Sequence, residues 1–153
     1  MVERVVWLAV IAMTGAAFSL PAYSQARPET VVKQRQGAMS LQGKYFYPIR
    51  AMAQGKTAYN PDVVVRNIGY LDVLARMPWD GFTPATRDVK SSSTPAVFSD
   101  TAKFKESQDR FMAEVTRLTE LGRKGGDEAS VKAQIMAVDK SCNSCHDTFR
   151  ERQ

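Results

Sequence analysis

Residues 141–150, SCNSCHDTFR, hold both cysteines and the single histidine of a 153-residue chain. Cys142 and Cys145 stand three apart, so on a helix they share one face. Upstream, Val131, Ile135 and Val138 recur at the spacing of a helix and carry the same face through Cys142 and Cys145 to Phe149. Asp127 stands where an N-cap belongs, after Gly125 and Gly126. The stretch is therefore expected to close a last helix running from Asp127 nearly to the C-terminus.

Three more helices are expected on the N-terminal side. The first runs from Pro28 to about Met52, with Val32, Arg35, Met39, Gln42, Phe46 and Ile49 on one stripe. Leu41, Tyr45 and Met52 widen that face. Pro48 should kink or interrupt its last turns, and Gly55 stops it. Asn60-Pro61 opens the second as a cap followed by proline at the first helical position, and it extends to about Met77. Val64, Ile68, Leu71 and Leu74 or Ala75 supply its buried face. Residues 78–93, PWDGFTPATRDVKSSS, form the one long connection, with Trp79 and Phe82 packing inward. Thr94-Pro95 repeats the cap-plus-proline pattern, and the third helix continues to about Leu121 with Phe98, Phe104, Phe111, Val115 and Leu118 inside. Met52, Met77, Met112 and Met136 are assigned to packing. Four amphipathic helices with mostly short connections imply an all-α, antiparallel, up-down-up-down four-helix bundle, an architecture that builds cofactor sites between facing helices.

Charged residues make up 24% and hydrophobic residues 44%, enough for one packed domain. The net charge of +5 suits an acidic protein partner or serves solubility alone. Lysines and arginines are scattered instead of gathered beside aromatic platforms, which argues against nucleic acid. Residues 5–18, VVWLAVIAMTGAAF, are apolar and uncharged, follow Arg4, and precede small residues at alternate positions. That is the build of a signal peptide over residues 1–24, with cleavage after Ser24 or Ala26. Glu3 departs from it, and an uncleaved anchor is the alternative. Cleavage leaves a single domain over residues 25–153, in the periplasm, with no membrane span.

Export sharpens the meaning of the cysteines. A disulfide between them would close a loop of four residues and stabilise little. Cys-x-x-Cys-His is instead the attachment pattern of a c-type haem. Two thiols one turn apart can each form a thioether with a vinyl group, and the adjacent imidazole of His146 can reach the iron. Zinc would need ligands beyond this one pair and one His. A thioredoxin-like redox pair would need a βαβ context that the sequence lacks. One covalent haem c, held near the C-terminal helix, is the expected cofactor. The chain has no second histidine, so the opposite face of the iron is left to methionine, lysine, water or nothing. Met39 lies one turn after Arg35, so one can reach the iron while the other meets a propionate edge. Met39 can equally be a core methionine, Arg35 a solvated surface residue, and Arg150 a complement to the helix dipole. Gly43, one turn beyond Met39, would admit a close approach to the porphyrin.

Several stretches together resemble the class II cytochromes c, the cytochrome c prime family. They are SCNSCHDTFR, AMAQGKTAYNPDVV, TPAVFSDTAKF and RQGAM, and the resemblance runs from about residue 29 to 153. It implies that Cys142 and Cys145 carry the haem and that His146 is the proximal ligand. Arg150 matches a basic residue beside the proximal face, and Arg35 a helix-one arginine near the propionates. Met39 matches the distal position, which holds a non-ligating bulky residue in high-spin members and an iron-binding methionine in low-spin ones. The resemblance also implies a possible homodimer through helices one and two.

The leading expectation is a periplasmic mono-haem carrier of single electrons, not an enzyme, ligated by His146 and Met39, with acidic redox partners. The alternative is a five-coordinate protein that binds or sequesters nitric oxide or carbon monoxide, with Met39 as a distal wall.

Overall fold

A computed structural model describes residues 26–151. The expected signal peptide lies outside the described residues.

Helix α1 spans Pro28–Ala53 and is continuous. Its end is a glycine cap: Gly55 has φ +70°, its N–H donates to Met52 O at 3.1 Å, and the Lys56 N–H donates to Ala51 O at 2.9 Å. Pro48 does not interrupt the helix, contrary to expectation. Both Pro48 and Lys44, whose carbonyl loses its partner, are exposed, so the missing bond faces water. On the inner side, Asn67 Nδ2 donates to Tyr45 O at 2.9 Å and ties that turn to the neighbouring helix.

Helix α2 spans Pro61–Leu74, with Asn60 Oδ1 accepting from the Val63 N–H at 3.1 Å. It stops short of the expected Met77. Pro78 disfavours helical backbone at the residue before it, and Gln42 Nε2 takes the Leu74 carbonyl at 2.9 Å. The third expected helix is two: a single turn, α3, Ala96–Ser99, then α4, Thr101–Arg123. The break is Asp100 (φ −119°, ψ 60°), whose carboxylate accepts from the Lys103 N–H at 3.3 Å. An aspartate with a free N–H ahead of it starts a helix more readily than it continues one. Helix α5 spans Glu128–Phe149, and Asp127 caps it through the Ser130 N–H at 2.9 Å.

The four long helices form a ring in which α1 packs on α2 and α5, and α4 packs on α2 and α5. This is the expected bundle. The hydrophobic core runs from Phe46 and Ile49 on α1 through Val64, Ile68 and Leu71 on α2. Phe111, Val115 and Leu118 of α4 and Val131, Ile135 and Val138 of α5 complete it. It therefore fills one end and the middle of the bundle and stops at Cys142, which is half-buried against it.

The other end carries a different cluster. Trp79 and Phe82 of the long connection lie over Phe104, with centroids 6.2 and 4.9 Å away, and Phe149 meets Phe104 at 5.2 Å. Trp79 Nε1 donates to Ala75 O at 2.6 Å, which satisfies its polar edge. The connection is thus held down as expected. Leu41 and Met77, assigned inward from the sequence, are instead 43% and 52% exposed.

Candidate functional site

The last turns of α5 bring the cysteines and the histidine together. Cys142 and Cys145 are half-buried and unbridged, on one face of the helix. Burial, and then the charge of Asp139, pushes the Cys142 thiol up to about 12, and burial also raises Cys145. Both sulfurs are therefore held as neutral thiols at physiological pH. His146 reaches the surface, yet desolvation and then the nearby Arg150 charge lower its imidazole below the ordinary value. A neutral imidazole is the form that ligates iron. Among the described residues no group of three or more His, Cys, Asp or Glu side chains gathers to hold a metal ion by itself. The donor set fits haem c: two unbridged thiols on one face and a neutral imidazole beside them.

An ion pair sets what faces this turn. Arg50 Nε of α1 lies 3.0 Å from Asp139 Oδ1 of α5, close in charge though poorly aligned for a hydrogen bond. From that pair, Gly43 and His146 are each two turns further along their own antiparallel helices, about 10 Å at 1.5 Å per residue. Gly43 is thus level with His146. Met39, half-buried, is about 6 Å further along α1. The open space at Gly43 is taken by the Tyr47 ring, 3.0 Å from where a Cβ would stand. Glycine here admits a tyrosine from its own helix.

Arg35 is buried, not solvated, at 3% exposure. Its guanidinium binds the long connection at Gly81 O, Thr86 Oγ1, Ser91 Oγ and Ser93 Oγ, over distances of 2.8 to 3.3 Å. It also lies 4.3 Å from the Phe82 ring centroid. Burial lowers its pKa without threatening its charge. Arg150 leaves α5 in extended backbone (φ −127°, ψ 130°), its N–H on His146 O at 3.2 Å.

Sequence reasoning singled out Cys142, Cys145, His146, Arg150, Arg35 and Met39; it did not anticipate the partners that the structure adds, Asp139, Arg50 and the hydroxyls of Thr86, Ser91 and Ser93. Asp139 carried a usable signal, a carboxylate three residues before Cys142 on an inward stripe. The serines carried none, because a hydroxyl-rich connection ordinarily meets water.

A family model described as Cytochrome C′ matches residues 30–150. Among named relatives, cytochrome c′ of Rubrivivax gelatinosus is 36% identical over 127 residues, covering 82% of this chain and 98% of the relative. Cytochrome c′ of Halomonas halodenitrificans is 34% identical over 130 residues, with the same coverage, 82% and 98%. The crystal structure of the Rubrivivax gelatinosus protein superposes with a TM-score of 0.78, again over 82% of this chain and 98% of that one. A nitric oxide complex of a cytochrome c prime variant from Alcaligenes xylosoxidans does so with a TM-score of 0.76 at 30% identity, covering 84% and 99%. A carbon monoxide-bound variant of that protein gives 0.75 at 31% identity, covering 83% and 98%.

Proposed function

The chain belongs to the cytochrome c′ family, and on that footing we propose that it binds a diatomic gas, nitric oxide or carbon monoxide. Haem c would supply an iron with one axial position open to such a ligand. The observation that carries this reading is the use of the only histidine, His146, beside the two cysteines, with an uncharged Met39 on the facing helix. The gas complexes of the Alcaligenes xylosoxidans relative support it.

Each residue then has a role. Cys142 and Cys145 would hold the haem through thioethers to its vinyl groups. His146, kept neutral by burial and by Arg150, holds the iron from one side. Met39 walls the other side with apolar surface and excludes water. Arg35 would be available to a propionate through Nε, the donor it does not commit to the connection. Export to the periplasm accompanies this role. The exposed apolar side chains Leu41, Tyr70, Val73 and Met77 of α1, α2 and the turn after it suit a second copy of the chain.

A thioether at position 39 favours a second reading, in which Met39 is a sixth ligand and the protein carries electrons to an acidic partner. One experiment separates the two. Protein matured with one haem is reduced, its spectrum recorded, and carbon monoxide added, for wild type and Met39→Ala. The gas reading expects a high-spin ferrous spectrum that Met39→Ala leaves in place, with faster gas uptake once the wall is gone. A low-spin spectrum in wild type that turns high-spin in Met39→Ala overturns it in favour of the carrier.

A further inference from the structure

A guanidinium at 3% exposure ordinarily faces a carboxylate, because an unpaired buried charge is costly. Arg35 has none among the described residues. Its four hydrogen bonds all go to neutral oxygens of residues 81–93: NH1 to Gly81 O at 2.8 Å and Thr86 Oγ1 at 3.2 Å, NH2 to Ser91 Oγ at 3.1 Å and Ser93 Oγ at 3.3 Å. One side chain of α1 therefore ties down the whole connection at both of its ends. The joint is built to this shape. A Cβ at Gly81 would stand 2.9 Å from Arg35 Cβ, so any larger residue there would push the arginine away.

The far end of the same connection grips the chain just beyond His146. The Glu151 N–H donates to Ser92 O at 2.8 Å, the Thr94 N–H to Phe149 O at 3.1 Å, and Thr94 Oγ1 to Thr148 O at 3.0 Å. Ser93 and Arg150 form an antiparallel bridge pair. These contacts hold Arg150 in extended backbone directly after the helix, and the direction of that backbone sets where its side chain stands. Hydrogen bonds linked by the backbone of residues 91–94 thus join the helix carrying Met39 to the chain on either side of Arg150, without passing through the haem.

We propose that Arg35 is a positioning residue for the proximal side of the haem: through the strap of residues 81–93 it fixes where Arg150 stands beside His146. This rests on the haem reading above and adds to it a route by which one side of the site sets the other. It also assigns the buried arginine a task separate from any contact with a propionate.

The test compares Arg35→Gln with the pair Ser91→Ala and Ser93→Ala, which loosens the strap while leaving the arginine, its charge and α1 in place. Two readouts are taken on haem-loaded protein. The first is amide hydrogen exchange at Thr94 and Glu151. The second is the iron–histidine stretching band of the ferrous form together with the gas dissociation rate. Both variants should speed exchange at both amides, displace the band in the same direction, and change the dissociation rate by about tenfold, the low end of what outer partners of a metal ligand command. In an Arg150→Ala background neither should move the band further. Unchanged exchange in both variants overturns the strap. A band that moves in Arg35→Gln alone, or that still moves without Arg150, overturns the route and leaves Arg35 acting on the haem directly. The exchange readout does not depend on gas binding, so a failed gas reading and a failed strap are told apart.

Discussion

The two ends of the bundle are built on different terms. At the end formed by Phe46, Val64, Leu118 and Val131 the four helices touch through aliphatic side chains, and Ile49, Leu118, Ile135 and Val138 have no exposed surface at all. At the end formed by Arg35, Met39 and Cys142–His146, the same helices carry half-buried or exposed residues, a buried arginine, and a polar strap over a small aromatic cluster. The first end closes on itself by apolar burial. The second is fixed by hydrogen bonds and ring contacts, and its last helix carries two thiols and an imidazole within little more than one turn. The difference teaches that the functional half of this fold is recognisable by what its core lacks, and that hydrogen bonds there take over the fixing done elsewhere by packing.

The sharpest way to break the comparison is to remove the attachment points. In the variant Cys142→Ala, Cys145→Ala the denatured polypeptide should carry no haem absorbance, a complete loss, while far-ultraviolet dichroism still reports the helices packed at the aliphatic end. Covalent haem in that variant would remove the role given to the two thiols, and a chain wholly without helical signal would show that the aliphatic end does not stand by its own packing. The next effect is at that end. Ile135→Ala should cost about 2–5 kcal/mol in denaturant unfolding through the lost methyl and methylene contacts and the cavity left behind. The haem spectrum should stay that of wild type, since Ile135 lies three turns from His146. A displaced spectrum would mean that the two ends are mechanically one.

The same division explains what could be read in the chain beforehand. The aliphatic end was legible because its signals are periodic and local. Val64, Ile68 and Leu71 repeat at helical spacing, Asn60 and Asp127 cap where expected, and Gly55 ends α1 with a positive φ. Cys142, Cys145 and His146 stood out as a candidate site because their spacing matches the c-type haem attachment pattern. The strap was not. Ser91 and Ser93 are satisfied by a side chain 56 and 58 residues away, and nothing local distinguishes them from solvated loop serines. Arg35 stood on an apolar stripe, which marked it as unusual without saying which neutral oxygens would receive it. Asp100 broke the third helix between Phe98 and Phe104, whose spacing of six residues departs from the three-, four- and seven-residue steps of one helical face. As a helix break Pro48 was over-read: its orphaned carbonyl at Lys44 lies on the wet face, where water can take the missing bond.

The two aspartate caps carry the comparison to its smallest scale, one at each end of the bundle. Asp127 accepts from the Ser130 N–H at 2.9 Å and meets Ser130 Oγ at 2.6 Å, while Asp100 meets the Lys103 N–H at 3.3 Å and pairs with its ammonium at 3.1 Å. Hydrogen bonds hold both carboxyls below the ordinary value of 3.8, Ser130 being the main cause at Asp127 and Lys103 at Asp100. A carboxyl lowered by folding stabilises the fold fully above its unfolded pKa, and that contribution fades as the pH falls through the folded value. Asparagine keeps the capping acceptor and cannot titrate. Asp127→Asn should therefore flatten the acid limb of melting temperature against pH at any ionic strength, because its partner is a hydroxyl. Asp100→Asn should flatten it less as salt is added, because part of what it removes is an exposed ion pair that salt already screens. Equal salt dependence in the two variants would show that the caps at the two ends work by one mechanism, and the contrast between polar and aliphatic ends would then stop short of the helix termini.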